Sequence, residues 1–226
     1  MNASKTTTGS FSRIVWGTVI FLAVIGIAAV LRRALTLSGI MKTYINPKFG
    51  EFDIGFRLHP VLTFVHIICG GLFMILAPLQ FVKRIRSKHL RFHKISGRVV
   101  VVCGLIIGIS ALVMSFKMVI GGATETSATF TFAILFLFSL CKGFYHIRRG
   151  ELALHRRWMI RMFAIGLAVA TVRPIVGMFF ALSHLSPHQF FGIAFWLGFI
   201  INLVAAEVWL WYYPGSDLQN IKKSEK

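Results

Sequence analysis

Acidic side chains are scarce in this sequence. It carries seven Asp and Glu against 25 Lys and Arg in 226 residues, and only 14% of the chain is charged. So few carboxylates supply carboxylate-driven catalysis poorly, and none are paired for general acid–base work. HExxH, a multi-carboxylate metal site, a phosphate-binding P-loop and a Ser/His/Asp order are all missing. Cysteine is sparse too. Cys69, Cys103 and Cys141 each fall inside an apolar segment with no CxxC, so they read as small core residues rather than a disulfide framework. There is no Gly/Ser linker, no low-complexity tract and no defensible repeat, which leaves one polytopic domain over 1–226 with a mobile head (1–10) and tail (215–226). The net charge of +18 comes without an aromatic-interleaved basic groove or a recognition helix, so nucleic acid is set aside as a partner.

Apolar residues are abundant instead: 56% of the chain is hydrophobic, and mean hydropathy is +0.75. A soluble domain carries nearer a quarter charged residues. Six segments of roughly 18–25 residues can cross a bilayer: 14–31, 60–82, 98–120, 126–147, 157–182 and 190–213. The expected fold is an all-α integral membrane protein with six transmembrane helices and a four-helix core made by the second to fifth spans. The first span follows a short basic start, as a signal peptide does. It is long for an h-region and lacks a small-residue cleavage site, so it is expected to be retained. Trp209, Trp211, Tyr212 and Tyr213 form an interfacial aromatic belt at the end of the last span.

Orientation follows from Lys and Arg. The stretch KRIRSKHLRFHKISGR (83–98) holds seven of them and no acid, and the 142–161 junction holds six. The links 119–127 and 183–190 hold none. Both termini and the two dense loops are therefore expected to face the cytoplasm, where anionic lipid would meet them. The five in 32–59 are the imperfect fit, diluted and partly offset by Glu51 and Asp53.

Histidine and small residues line up along helical faces. His155 and Arg173 are 18 residues apart, five whole turns on one face and about 27 Å along the axis. Met159, Met162, Gly166, Val169 and Ala170 lie between them. From His93 the face reads Gly97, Gly104, Gly108, Ala111 and Ser115. From His66 it reads Gly70, Phe73, Ala77 and Gln80, and from His146 it reads Gly143, Ser139, Leu135 and Ala128. Such faces point into a bundle rather than at lipid. Small residues there serve close helix packing, or they clear space for a flat cofactor whose metal the histidines hold. The candidate haem ligands are His66, His93, His146 and His155, with no metal site otherwise expected. His89 and His93 are spaced i,i+4, but the surrounding positive charge disfavours a bare cation. His184 and His188 share that spacing, and Pro187 argues against helix there.

Other polar residues inside the spans need partners. Arg173 reads as buried, with His66, Glu51, Asp53 or an anionic ligand as candidate partners, and Pro174 frees a carbonyl in its turn. Glu207 lies at the depth of Arg161 and Lys142, so an ion pair is expected. Asn202 sits near the midplane and is expected to hydrogen-bond to a neighbouring helix.

Three motifs, HPVLTFVHIICGGLFMILAPLQF (59–81), RFHKISGRVV (91–100) and HRRWMIRMFAIGLAVATVRP (155–174), resemble a bacterial family of multi-pass membrane proteins known as domain of unknown function 2306. The resemblance covers roughly 59–180. Carried over position by position, it marks His66, Gly70, Pro78, Gln80 and Phe81 in the first motif. It marks His93, Gly97 and Arg98 in the second, and His155, Trp158, Met159, Arg161 and Arg173 in the third. It implies a compact module in a bacterial inner membrane and no particular reaction. A looser similarity is to the di-haem transmembrane cytochromes b, which also place histidines on four consecutive helices. Those set two histidines at each membrane side. Here three of the four lie at the cytoplasmic end and only His66 toward the outside.

Three functions stay open. One is a haem b-binding electron-transfer protein with a redox partner. The second is a transporter or binding protein for a small anionic or lipid-like ligand, using Arg173 and His66. The third is a non-catalytic membrane protein that binds anionic lipid, another subunit or a second copy through its basic face.

Overall fold

The computed structural model describes residues 3–40 and 54–213, with the side chains of the first helix from Ser12 onward. The chain forms α1 (Ala3–Leu37), α2 (Pro60–Gln80), a short α3 (Lys83–Lys88), α4 (Leu90–Lys117), α5 (Gly122–Arg148), α6 (Leu152–Leu182) and α7 (Pro187–Tyr212). No strand occurs among the described residues. All but α3 are long and apolar enough to cross a membrane, which gives six spans. The expected mobile head falls largely within α1. The expected tail, Glu51 and Asp53 lie outside the described residues.

Helix boundaries follow local chemistry. Pro60 and Pro187 sit at the first helical turn of α2 and α7, where their missing N–H costs nothing. Ser186 and Gln189 add a capping box to α7. His188 is therefore helical, contrary to the expectation drawn from Pro187, while His184 stays outside the helix. Gly150, at φ 76°, makes the tight α5–α6 turn that L side chains resist. Helix α4 begins eight residues before the expected 98, because a basic segment can be helical once it projects from the bilayer. His89, at φ −129° and ψ 52°, breaks α3 from α4, so His89 and His93 do not continue one helical face.

Consecutive spans are neighbours: α2 packs on α4, α4 on α5, α5 on α6 and α6 on α7. Helix α1 packs on both α2 and α6, closing a five-helix ring, and α7 lies outside it against α5 and α6. The expected four helices supply most of the core, and α1 fills the gap between the second and fifth spans. Phe73, Phe136 and Phe163 meet at the centre, with Phe73 edge-on to Phe136 at 5.9 Å between ring centroids. Lipid tails are as apolar as these rings, so close van der Waals packing, rather than the hydrophobic effect, holds the helices together. The packing is tightest where glycines face a neighbour. A Cβ on Gly192 of α7 would lie 2.7 Å from the backbone nitrogen of Glu125 in α5, and one on Gly198 would lie 2.6 Å from Val172.

The bundle has a basic end, formed by the α2–α4 connection, the α5–α6 turn and the C-terminal end of α7, and an opposite end.

Candidate functional site at the two ends of the bundle

At the basic end several polar side chains bond to one another or to backbone. Buried Gln80 of α2 donates from its amide nitrogen to Ser96 Oγ of α4 at 2.8 Å. Its Oε1 lies 3.2 Å from where a Cβ on Gly97 would be, so Gly97 leaves room for Gln80. His155 Nδ1 lies 2.8 Å from the carbonyl of Gly143. A carbonyl only accepts, so Nδ1 carries the proton, and in the neutral ring Nε2 keeps its lone pair. His146 donates through Nδ1 to the Glu151 carboxylate, which Arg149 also approaches. Arg149 also donates to the Tyr145 hydroxyl. Arg161 grips Glu207 with two bonds, 2.5 and 2.9 Å, joining α6 to α7, and its guanidinium lies 4.8 Å from the Trp158 ring centroid. The ion pair expected for Glu207 thus forms with Arg161. Lys142 lies over the rings of Phe138 and Tyr145 instead. Arg98 is exposed on α4.

One group there stands out. His93 Nδ1 is the one fully buried side-chain nitrogen or oxygen without a hydrogen-bond partner among the described residues. His155 is a close electrostatic neighbour of His93, and His146 of His155, so three candidate histidines gather at this end. His66 is a span away.

The opposite end divides into two corners. Where α4, α5 and α7 meet, every polar group named here finds protein. Glu125 accepts from the backbone nitrogens of Ile120 and Gly121, both at 2.7 Å. Thr126 bonds the Ser115 carbonyl at 3.0 Å, and His188 Nδ1 donates to the Ile120 carbonyl at 2.8 Å. Where α1, α2 and α6 meet, the pattern changes. Arg173 donates to the carbonyl of Val169, one turn back on its own helix, at 2.6 Å. No carboxylate pairs with it among the described residues, and its charged neighbours are Arg32 and Arg33 of α1. Its side chain is exposed rather than sealed inside the bundle, which corrects the expectation of burial. Arg33 also lies 3.8 Å from the Phe56 ring centroid.

His66 of α2 lies at this corner with Arg173 as its charged neighbour. Its Nδ1 is 2.8 Å from Ser110 Oγ on α4. The Ser110 hydroxyl donates to the Ile106 carbonyl at 2.6 Å, so it receives its hydrogen bond from His66 Nδ1–H. That network leaves Nε2 of His66 as an acceptor. Ser110 and the α1 arginines were not singled out from the sequence. A serine in an apolar run was the available signal for Ser110. Nothing in one sequence sets α1 against α6.

Between the ends, the inward stripes are filled. A Cβ on Gly166 would lie 2.7 Å from the Phe73 ring, and one on Gly108 would collide with Leu137. Gly104 faces Leu140, and Gly143 faces the Met159 sulfur. These glycines admit side chains from neighbouring helices, so the stripes do not fit a haem plate between them. Val169 and Leu135, expected on inward faces, are exposed. Asn202 bonds Thr171 Oγ1 of α6 at 2.7 Å, tying α7 to the ring near mid-span.

Fold and polar pattern together define a six-span helical membrane protein with a basic end and, at the opposite end, a corner where Arg173 and His66 are charged and polar neighbours. The model of the family of predicted membrane proteins DUF2306 matches residues 63–210, and the chain belongs to that family. The match continues past the motif region through α7 and leaves α1 outside. No curated protein and no solved structure matches the chain.

Proposed function

We propose that the chain binds, and as a carrier moves, a small anionic or lipid-like ligand held by Arg173 and His66. The observation that carries this reading is Arg173, a guanidinium within a span whose protein hydrogen bond goes to its own helix and whose charged neighbours are arginines. A guanidinium offers five donors in a planar fork that suits a carboxylate or phosphoryl group bidentately. His66 Nε2 adds an acceptor for an N–H or O–H on the same ligand. An ionised side chain costs about 2.5–3.5 kcal/mol at the centre of a span and less toward its end, and an anion would offset what remains for Arg173.

The test is thermal unfolding of the detergent-purified protein against a panel of small carboxylates, inorganic phosphate, phosphoesters and lysophospholipids. At least one should raise the midpoint of the wild-type protein, leave Arg173→Leu unmoved and act more weakly on His66→Ala. Equal stabilisation of wild type and Arg173→Leu by every effective anion would overturn the reading.

A second reading, haem at the rim of the basic end, has one observation in its favour. The unpartnered Nδ1 of His93 lies near His155, whose Nδ1 is committed to a carbonyl as second-shell bonds commit ligating histidines. His93 and His155 would hold the iron, and nearby Lys and Arg would face the propionates. Haem would supply one-electron transfer. Dithionite-dependent bands in the visible spectrum would support it. A featureless spectrum of folded protein, expressed with ample haem, would remove it.

The Lys and Arg asymmetry supports placing the protein in a bacterial cell membrane with the basic end cytoplasmic. Reporter fusions after Gly150 and after Ser183 check the orientation: a cytoplasmic reporter should be active only at the first and an external one only at the second.

A further inference from the structure

Helices α4 and α5 leave a groove of about 370 Å³ between them, which runs to Tyr145 and Arg148 at the basic end. Val101 and Leu105 of α4 form one wall, and Leu140, Cys141 and Phe144 of α5 form the other. Arg148 lines the same groove where α5 reaches the basic end. On the α4 wall, Arg98 precedes Val101 by three residues and Leu105 by seven, a spacing that puts all three on one face. Each wall therefore runs from apolar side chains into an arginine.

Neither arginine has a partner among the described residues. Arg98 and Arg148 are exposed, and among the described residues neither makes a side-chain hydrogen bond or ion pair. The nearby carboxylate, Glu151, is already engaged by His146 and Arg149. The groove is thus apolar along its length and positive at its mouth. That is the charge pattern of an acyl chain below a phosphate.

We propose that the α4–α5 groove is a binding site for an anionic glycerophospholipid, with an acyl chain along Val101, Leu105 and Phe144 and the phosphate between Arg98 and Arg148. A zwitterionic lipid places a cation beside those guanidinia and loses that attraction. Two arginines near a membrane surface favour the anionic lipid by about tenfold or more. This site is independent of Arg173 and His66, which lie toward the other end of the bundle.

Cys141 gives the readout, because it lines the groove and is exposed, whereas Cys103 is buried and Cys69 partly so. The experiment measures the rate at which N-ethylmaleimide modifies Cys141, read by peptide mass mapping, in mixed micelles. The added lipid is phosphatidylglycerol or phosphatidylcholine with the same acyl chains. Phosphatidylglycerol should slow Cys141 modification several-fold at concentrations where phosphatidylcholine does not. The Arg98→Gln/Arg148→Gln double variant, checked for an unchanged unfolding midpoint in detergent alone, should react equally fast with both. The single variants serve in its place if the double variant is unstable. Equal protection by the two lipids in the wild type, or a preference that survives loss of both arginines, would overturn the proposal. Protection by inorganic phosphate alone would do so as well, since it would mean an ion site and no lipid.

Discussion

Two corners of one end of the bundle face the same depth of membrane and are built in opposite ways. Where α4, α5 and α7 meet, Glu125, Thr126 and His188 are satisfied by backbone atoms, and Gly121 and Gly192 let the two backbones touch. Where α1, α2 and α6 meet, Arg173 bonds its own helix, stands near two further arginines and has a half-buried histidine beside it. The first corner contains the partners its polar groups require. In the second, the guanidinium of Arg173 has a single hydrogen bond to protein among the described residues, one turn back on its own helix. Polar residues inside a membrane protein are thus separable by where their hydrogen bonds end. Those bonded between segments of the bundle hold the fold, whereas Arg173, bonded one turn back on its own helix, keeps further guanidinium donors among the described residues.

The contrast is sharpest if the closed corner is overfilled. Gly192→Val places side-chain carbon against the Glu125 backbone and Thr124, and overpacking of this kind costs about 1–3 kcal/mol. The midpoint of thermal unfolding in detergent should fall by roughly 5 °C or more. An unchanged midpoint would mean the corner is looser than described. Next in size is the Arg161–Glu207 clamp. Glu207→Gln should cost about 0.5–1 kcal/mol, with a smaller difference from wild type at high salt, because Glu207 is 47% exposed and the pair is partly screened. Differential unfolding at two ionic strengths checks both parts. Asn202→Leu removes one interhelical hydrogen bond and should cost about 0.6 kcal/mol, a shift of about 2 °C. The smallest effect is expected at the open corner. Without added anion, Arg173→Leu should leave the midpoint unchanged or raise it slightly, since no carboxylate among the described residues loses a partner. A clear loss of stability there would erase the difference between the corners.

Much of the architecture was readable from residue order. The six spans, the retreat of Phe73, Ala77 and Gly104 from lipid, the Arg161–Glu207 pair and the bond from Asn202 all follow from depth and periodicity. Three things did not. Helix α4 starts at Leu90 because Lys and Arg, which read as a loop on a hydropathy scale, are good helix formers once outside the bilayer. His188 is helical because proline at a first turn initiates the helix it would break elsewhere. The neighbours of Arg173 depend on α1 lying between α2 and α6, and a contact between helices distant in sequence has no period to reveal it. The glycine stripes were ambiguous for another reason. A missing Cβ looks the same whether its space receives a phenylalanine or a cofactor, and only the neighbouring helix resolves the two.

Helix α1 has one more consequence. Only 17% of its most apolar stretch is buried, against 28–39% for the other spans, and the family match begins after it, at residue 63. Yet it brings Arg32 and Arg33 beside Arg173. The wall with least invested in the fold is therefore the one that flanks Arg173, so chains sharing the remaining five helices could keep their architecture while exchanging that wall, and with it the charge around Arg173.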